Sequence, residues 1–362
     1  MDTSDPEITF DEAGVCHHCH QYDARAANEI FVDEAGQEKL RKIVAQMKAS
    51  ARNKKYDCVM GVSGGLDSST ALYTLRQLGL RPLAIHLDNG WNTELSVKNV
   101  EQMIKQLDVD LYTHVLDWEE FRDLQIAFLK ASISNAEIPT DHAIVALLFH
   151  VAAKEGIQYI ISGGNIVTEA IMPESWMYDA KDLRLLNAIH KRHGTNTLKS
   201  FPKLSLAHWV YYTFVKGIKY FPILNYIAYN KKDARETMQK EFCWKDYGGK
   251  HFESIYTRFF QGYILPKKFN IDKRRAHFST LINSGQMTRQ EALEQIQQPP
   301  YPVNAMEEDR EYVIKKLGIS DAQFQEIMSS PVKSHGDYPN NEWMYTKMSG
   351  LVSIARRMLT IN

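Results

Sequence analysis

Short apolar runs alternate with amphipathic stretches through the first two thirds of the chain. Four runs have the length of buried strands, at residues 58–62, 81–88, 110–116 and 158–162. Apolar residues between and before them recur at helical spacing, which predicts helices at residues 36–55, 71–78, 99–107, 118–135 and 138–153. This alternation predicts an α/β fold in which helices cover a parallel sheet.

Both ends of the chain depart from this pattern. Residues 1–35 predict a small module with little regular structure, residues 36–240 the α/β domain, and residues 241–362 a mainly helical region. In that last region, Thr288-Arg-Gln-Glu291 has the form of a capping box. Residues 206–221 are rich in aromatic side chains, which indicates a core position, with a docking surface for another subunit as the alternative.

The composition narrows the class of protein. The 362 residues are 44% apolar, and a net charge of −1 gives no field that would attract nucleic acid or anionic lipid. No apolar run reaches membrane-spanning length, and the polar N-terminal residues do not form a signal peptide. We therefore expect a cytoplasmic protein with no nucleic-acid or membrane partner. Four cysteines make no disulfide framework, and Cys58 lies in a predicted strand as a core residue.

The turn after the first predicted strand is the most informative stretch. Ser63-Gly-Gly-Leu-Asp-Ser-Ser69 opens a helix, so backbone N–H groups and the helix dipole converge at a site that suits phosphate. It has neither the lysine of a Walker loop nor the third glycine of a dinucleotide loop. It resembles the loop of the PP-loop ATP pyrophosphatases, which split ATP into AMP and pyrophosphate. That resemblance implies ATP, Mg²⁺ and a five-stranded HUP-type sheet with helices on both faces.

Ligands of open α/β sheets bind beyond the carboxyl ends of the strands, so the turns after the other strands join this site. Asp67 is the candidate Mg²⁺ ligand. The predicted ATP-binding residues are Gly61, Val62, Ser63, Gly64, Gly65, Asp67, Ser68, Ser69, His86, Asp88, Gly163, Gly164 and Asn165. An ordinary strand-to-helix turn is the alternative for the loop. Thr140 or Asp141 is expected to cap a helix, and for Asp141 and His142 a ligand contact stays equally open.

A second dense stretch lies in the C-terminal region. Residues 244–277 mix Lys, Arg, His and acidic side chains with aromatic ones, as in sites for polyanionic substrates; a solvated basic surface is the alternative. Parts of it, with two further segments, resemble the N-acetyl sugar amidotransferase family, bacterial enzymes of surface-polysaccharide and flagellin-sugar biosynthesis. The segments are residues 1–19, 244–251, 268–277 and 284–289. The resemblance extends from residue 1 to about residue 302.

This resemblance implies a reaction in two steps. The acetamido oxygen of a nucleotide-activated N-acetylated sugar attacks the α-phosphorus of ATP, and ammonia then displaces AMP from the adenylyl imidate to give an acetamidino group. The candidate catalytic residues are Asp67, Lys250, Lys268, Lys273 and Arg274. No cysteine lies in a glutaminase context, so a separate glutaminase, with a cyclase-like channelling subunit, is expected to supply ammonia.

Cys16 and Cys19 form a C-x2-C pair among three histidines, which can supply half of a tetrahedral zinc site. A complete site usually needs a second pair, and the sequence contains none. Members of the family that it resembles typically carry one just before the segment matching Asp2 and Thr3. Cys16 and Cys19 are therefore candidate zinc ligands, with two free thiols as the alternative.

Two rival functions stay open. A PP-loop enzyme that modifies tRNA by thiolation shares the loop and a cysteine pair, but it predicts a basic patch and often a catalytic cysteine. A non-catalytic nucleotide-binding module would need neither Asp67 nor the charged residues of 244–277. Exchange of pyrophosphate with ATP separates an enzyme from such a module.

Overall fold

The computed structural model describes residues 1–347, so residues 348–362 of the predicted helical region lie outside the described residues. Within residues 1–347, five strands form one parallel sheet in the order β3-β2-β1-β4-β5. They are Cys58–Gly61 (β1), Pro82–Asp88 (β2), Asp110–Val115 (β3), Tyr159–Ser162 (β4) and Lys219–Pro222 (β5). The α/β fold and the four strands predicted from the apolar runs are confirmed. The end of the aromatic stretch supplies the fifth.

Helices surround the sheet and build the C-terminal region. Along the sheet they are α1 His17–Glu29, α2 Glu34–Ser50, α3 Leu66–Gln77, α4 Glu94–Leu107, α5 Trp118–Ala131, α6 Ile138–Lys154, α7 Ile166–Glu169, α8 Leu183–His193 and α9 Leu206–Val210. After the sheet they are α10 Lys231–Phe242, α11 Ile255–Phe259, α12 Leu265–Phe269, α13 Arg274–Asn283, α14 Arg289–Gln297, α15 Val303–Leu317, α16 Asp321–Ser329 and α17 Glu342–Lys347. None of these described helices is both long and apolar enough to cross a membrane.

The sheet is covered on both faces because successive strand residues point in opposite directions. In β1, Cys58 and Met60 pack with α2, α3, α4 and α10, whereas Val59 packs against α6. A further core joins α5, α8, α11 and α15 around Trp91, which is fully buried. Since Trp91 follows β2 closely, this core anchors the helical region beside the carboxyl ends of the strands.

Backbone hydrogen bonds tie the C-terminal region to the turn after β2. The N–H of Thr93 donates to the Glu253 carbonyl at 2.9 Å, and the N–H of Ile255 donates to the Trp91 carbonyl at 2.9 Å. The segment around Glu253 therefore lies over the carboxyl edge of the sheet. There β1 sits between β2 and β4, the reversal of strand order at which open α/β sheets form a ligand crevice.

Two predictions of local structure are wrong. Residues 17–29 form the regular helix α1, with Cys16 as its N-cap, so the N-terminal module is more ordered than its composition indicates. The aromatic stretch is partly surface: the side chains of Phe214 and Val215 are 51% and 69% exposed. Trp209 and Tyr212, in the same stretch, pack on the core beside α6. The stretch is apolar on more than one side, so its remaining apolar side chains are left in solvent.

The start of α6 also differs from the prediction. The N-cap residue is Glu137, and its side chain makes no capping hydrogen bond. Thr140 and Asp141 therefore lie in the first turn, where Thr140 Oγ1 accepts a hydrogen bond from Asn89 Nδ2 at 3.1 Å. Pro139 explains the shift, because proline fits the first helical positions and does not require a partner for its nitrogen.

Candidate active site

A cleft of about 1270 Å³ opens at the carboxyl edge of the sheet. Its floor is formed by the ends of β1, β2 and β4, and its opposite wall by side chains from residues 244–254, 261–287 and 295–300. The sheet domain and the C-terminal region thus supply one wall each. The predicted ATP-binding residues that line the cleft are Gly61, Val62, Ser63, Gly65, Asp67, Ser68, His86, Gly163 and Gly164.

The loop after β1 makes a tight turn that requires glycine at its centre. Gly64 has a φ of 81°, and a Cβ at this position would lie 2.6 Å from the carbonyl oxygen of Ser96. The loop's own hydroxyls brace it: the N–H of Gly65 donates to Ser63 Oγ at 3.2 Å, and Ser68 Oγ donates to the Gly65 carbonyl at 3.0 Å. Because α3 begins directly afterwards, the cleft receives the N-terminus of that helix.

An aromatic pair from the C-terminal region, which also lines the cleft, holds this loop. Trp244 Nε1–H donates to the Gly64 carbonyl oxygen at 2.8 Å, and the Tyr247 hydroxyl donates to the same oxygen. Asn99 in α4 supports the pair by donating to the Tyr247 hydroxyl at 2.9 Å. Because the peptide unit is planar, anchoring the Gly64 carbonyl also fixes the direction of the Gly65 N–H, which donates to Ser63 Oγ within the loop.

Replacing Tyr247 with Phe tests this anchor. We expect the KM for ATP to rise about fivefold, because a lost hydrogen bond contributes about 1 kcal/mol and the ring itself is retained. Steady-state kinetics of ATP consumption measures the change. Tyr211→Phe, on the exposed surface after α9, is the control; equal KM values in both variants would contradict the anchoring role.

Asp67 is the centre of a charged group in the cleft. The Tyr229 hydroxyl donates to its carboxylate, and Lys250 forms an ion pair with Glu169 at 2.7 Å. Burial raises the pKa of Asp67, while Lys250 opposes the rise and Glu169 adds to it. Gly163 permits the close packing of this group, because a Cβ there would lie 3.1 Å from the backbone of Asp67.

The group fits a magnesium ion. Carboxylate oxygens are the ligands that Mg²⁺ takes from proteins, and it keeps waters and substrate phosphates in its other positions. Asp67 and Glu169 place two carboxylates near each other at the end of the pyrophosphate loop, with Lys250 as counter-charge. These residues would hold the ion against the phosphates of ATP. Sequence reasoning missed Glu169, whose available signal was an acidic residue one helical turn after the Gly163–Gly164 turn.

Three predicted ATP-binding side chains lie outside the lining of the cleft. Asn165 caps α7 by accepting a hydrogen bond from the Thr168 N–H at 2.9 Å. Asp88 accepts from the N–H of Gly90 at 2.9 Å and shapes the turn after β2. Ser69 is buried on the inner side of α3, with 3% of its surface exposed. Each of the three nevertheless adjoins a residue that lines the cleft: Gly164 before Asn165, Asn89 after Asp88 and Ser68 before Ser69.

His86 lies in the floor of the cleft with both ring nitrogens in use. Its Nδ1 is 2.9 Å from the Val62 carbonyl oxygen and therefore carries the hydrogen, while Nε2 accepts from Asn92 Nδ2 at 3.1 Å. The ring is fixed in one tautomer, so it offers a ligand its flat face rather than a proton.

Two of the four predicted cations have free access to the cleft. Lys250 pairs with Glu169, and Lys273 Nζ lies 3.4 Å from Glu137 Oε2. Lys250 also donates to the Thr168 carbonyl at 3.5 Å. Because an ammonium carries three N–H donors, each of the two lysines still keeps at least one available. They are the side chains best placed to meet phosphate charge.

The other two cations have structural partners. Arg274 lines the cleft, but its guanidinium is paired with Asp272 at 2.7 Å and donates to the Gln298 carbonyl at 2.9 Å. The assignment of Lys268 to the catalytic site is wrong. Its ammonium donates to the Ile327 carbonyl and, at 2.8 Å, to Ser330 Oγ at the end of α16, where unpaired helix carbonyls attract a cation. Burial lowers the pKa of Lys268 to about 8.

Sequence reasoning also missed several polar side chains that the C-terminal region adds to the cleft. They are Lys231, Arg235, Asp246, His251, Glu253, Gln261 and His277. The charged stretch 244–277 contains all of them but Lys231 and Arg235 and was the available signal, but it does not say which of its side chains face the cleft.

Cys16 and Cys19 lie at the start of α1 with their Sγ atoms 3.5 Å apart. The histidines beside them have other contacts: His18 Nε2 bonds Asp5 at 2.7 Å, and His17 Nδ1 accepts from a backbone N–H. In the part of the chain that the structure describes, Asp5, His17 and His18 form a group with metal-ligand spacing. The cysteine pair keeps the geometry of half a zinc site, and zinc stays a prediction.

Two protein families match the chain. Residues 253–349 match the family described as LPS biosynthesis protein WbpG-like, C-terminal domain, and residues 57–163 match that described as queuosine biosynthesis protein QueC. The part of the chain that carries the loop and most of the sheet is thus similar to one family, and most of the C-terminal region to the other. The resemblance seen in the loop and in the C-terminal motifs is confirmed. The WbpG-like domain supplies the cleft wall from Glu253 onward.

Similarity to known proteins is otherwise distant, and no curated protein sequence matches the chain. A predicted subunit of tRNA methyltransferase from Methanocaldococcus jannaschii is 20% identical over 50% of this chain and 75% of that chain, with a TM-score of 0.28. NMN synthetase from Francisella tularensis is 16% identical over 59% of this chain and 89% of that chain, with a TM-score of 0.29. NH3-dependent NAD synthetase from Campylobacter jejuni is 13% identical over 72% of this chain and 96% of that chain, with a TM-score of 0.31.

Proposed function

We propose that the chain converts the acetamido group of a nucleotide-activated N-acetylated sugar into an acetamidino group, in an ATP-dependent reaction that forms AMP and pyrophosphate. The two-walled cleft carries this proposal. A PP-loop faces a WbpG-like domain across a volume of about 1270 Å³, above the roughly 300–1,000 Å³ of an ordinary small-molecule pocket. The space accommodates a second substrate beside ATP. The description of the C-terminal family, LPS biosynthesis, favours a sugar.

In the first step, the loop N–H groups and the start of α3 hold the leaving pyrophosphate. Magnesium, when bound at Asp67 and Glu169, neutralises charge on the phosphates. Lys250 and Lys273 offer ammonium groups to the negative charge that grows on the α-phosphate as the acetamido oxygen attacks. Closure of the cleft by residues 244–254 limits access of water to the resulting adenylyl imidate.

We further propose that ammonia comes from a separate glutaminase through a cyclase-like channelling subunit. Of the four cysteines, all within the described residues, none lines the cleft, and so none is placed as a glutaminase nucleophile beside this site. Ammonium salts should therefore replace the partner proteins in vitro.

The test is pyrophosphate release from ATP with ammonium present, across a panel of UDP- and CMP-linked N-acetylated sugars. We expect AMP to form only with the correct sugar, and mass spectrometry to show a product in which NH replaces O. Turnover with bulk tRNA but with no sugar would favour the thiolation-type alternative. Bound ATP without any pyrophosphate exchange would favour a non-catalytic module.

Cys58 provides a second test that distinguishes the proposed function from the thiolation-type alternative, which would often need a catalytic cysteine. Cys58 is fully buried in β1, and burial raises the pKa of its thiol, so it stays protonated and out of reach of substrate. We expect Cys58→Ala to keep turnover within about twofold and to lower the free energy of unfolding by about 1 kcal/mol. Kinetics and chemical denaturation measure both. The exposed Cys243→Ala is the control; a tenfold loss of turnover only in Cys58→Ala would point to a catalytic thiol.

A further inference from the structure

Two carboxyl side chains at the start of α6 face the cleft one helical turn apart, at Glu137 and Asp141. Glu137 is well supported: Gln261 Nε2 donates to it at 2.9 Å, and Lys273 Nζ lies 3.4 Å away. Asp141 is not. Within residues 1–347 no donor forms a hydrogen bond or ion pair with its carboxylate, although the side chain is exposed to the cleft.

An imidazole in the same space also has no partner. His277 lines the cleft from α13, and both of its ring nitrogens are buried without a hydrogen bond to any described residue. Lys273 and His251 act electrostatically on both Asp141 and His277, so the two unpaired groups border one chamber. An unmade hydrogen bond at a buried polar atom is costly, and a polar ligand in this chamber would remove that cost.

The surroundings shift the pKa values of Asp141 and His277 in opposite directions. Enclosure by the cleft raises the pKa of Asp141 to about 7; Glu137 adds to the rise, and Lys273 and His251 oppose it. Burial lowers the pKa of His277 well below its usual range, and the neighbouring Lys250 lowers it further. Opposed shifts of this kind are characteristic of sites that transfer protons near neutral pH.

We propose that Glu137 and Asp141 form the site for the ammonium ion, and that Asp141 accepts the proton that ammonium loses to free the lone pair with which the nitrogen attacks the adenylylated acceptor. The inference rests on the proposed function, because it concerns the second step of that reaction. A small cation with several N–H donors fits between two carboxylates one helical turn apart, since it relieves their repulsion and satisfies the unpaired oxygens of Asp141. His277, ringed by cations, stays neutral and accepts a hydrogen bond from the acceptor.

The step balances. A C–N bond forms between the incoming nitrogen and the imidate carbon, and the C–O bond to AMP breaks with its electron pair leaving on the phosphate. The first step leaves the imidate neutral, because the acetamido N–H proton is lost in that step. The amidinium product therefore keeps three of the four protons that ammonium brings, two on the new nitrogen and one on the sugar nitrogen. Asp141 takes the fourth proton and releases it to the water of the cleft. When a partner delivers neutral ammonia instead, no proton has to leave before the attack, and the extra proton of the adduct passes to the sugar nitrogen through the water of the cleft without Asp141.

Asp141→Asn tests the proton transfer, because it keeps the shape of the side chain and removes the base. We expect sugar-dependent pyrophosphate release to stay within about threefold, while amidine formation with ammonium falls at least about 100-fold. AMP would then form without product, through hydrolysis of the imidate. Hydroxylamine, which is uncharged at neutral pH, should restore product formation, and Asp141→Glu should restore part of the ammonium rate. Equal losses with both nucleophiles would overturn the proposal.

The pH dependence provides a second kinetic readout. In the wild type, the ammonium-dependent rate should rise through about pH 7 as Asp141 ionises, and Asp141→Asn should remove that step. Glu137, His251, Lys273 and His277 also face the chamber, so Asp23→Asn, on the exposed surface of α1, serves as the control for a changed charge elsewhere. A profile unchanged in Asp141→Asn would contradict the assignment.

A binding measurement keeps the inference separate from the identity of the sugar. NMR of ¹⁵N-labelled ammonium, added to the full chain with ATP and magnesium, should show binding that Asp141→Asn and Glu137→Gln each weaken at least fivefold. Thermal unfolding checks that both variants fold. Absence of turnover with every sugar, together with this ammonium binding, would refute the proposed function alone. Ammonium binding that is absent from the wild type, or unaffected by both variants, would refute the ammonium site.

Discussion

Asp67→Asn is expected to lower AMP-forming turnover at least about 10³-fold while the chain remains folded. The carboxylate is the only charged side chain of the pyrophosphate loop, and metal coordination there contributes several kcal/mol to the transition state. The amide keeps the volume and can still accept the hydrogen bond from Tyr229. Pyrophosphate release measures the loss, and magnesium titration should show a matching fall in affinity.

The raised pKa of Asp67 predicts how turnover changes with pH and how Asp67→Asn changes the stability of the fold. Burial raises the pKa, so protons compete with magnesium at higher pH than at an ordinary aspartate, and wild-type turnover should fall earlier on acidification. A raised folded-state pKa also means that the ionised carboxylate destabilises the fold at neutral pH. Without magnesium, Asp67→Asn should therefore unfold at the same or a higher temperature than the wild type. A lower unfolding temperature would attribute lost activity to misfolding.

The parts of this protein that the sequence predicts well depend on local spacing. The apolar run at residues 58–62 and the helical period after it place β1 and the end of α3 within one residue, although α3 begins five residues before the predicted start. Gly64 follows from the same logic, because a strand that turns at once into a helix needs a left-handed residue. Strand-to-helix turns then gather at one edge of the sheet by topology alone, which puts Gly163 and Gly164 beside the loop.

The contacts that complete the site depend on residues far apart in sequence. Trp244 reaches the Gly64 carbonyl across 180 positions, and nothing local to either residue predicts that hydrogen bond. Lys268 has the charge expected of a phosphate ligand, yet its ammonium donates to Ser330 Oγ at the end of α16. Residue type shows that a lysine can bind phosphate, but tertiary packing decides whether helix carbonyls reach it first.

Side chains near glycine turns show a similar limit. Asn165 has the donors and the acceptor of a ligand-binding residue, but the next helix needs a cap and the amide satisfies it. Glu169, four residues later, then lies on the side of α7 that faces the cleft. The sequence analysis assigned Asn165 to the ligand. In the structure Asn165 caps α7, and Glu169, at the end of that helix, lines the cleft instead.

Lys250→Met is expected to lower AMP-forming turnover by about 10²–10³-fold, because it removes a preorganised cation from a water-restricted site. Its side chain is 16% exposed and its ammonium lies 2.7 Å from Glu169, so the variant also leaves that carboxylate without its counter-charge. Asp67 then feels more negative charge, and its pKa rises further. ATP affinity should change less than turnover, since the charge that Lys250 meets is greatest in the transition state.

Lys268→Met is the matched control, because it removes a lysine of the same motif region that donates to the end of α16 instead of to the cleft. This variant should lose about 1–2 kcal/mol of stability and keep its turnover. Lys250→Met should lose turnover and also some stability, because it leaves the Glu169 carboxylate without its counter-charge. The double variant Lys250→Met, Glu169→Gln should recover stability without recovering activity, since it removes the unpaired carboxylate but not the need for a cation. Activity restored by the double variant would show that Lys250 acts only through Glu169, and the cation facing the α-phosphate would then have to be Lys273.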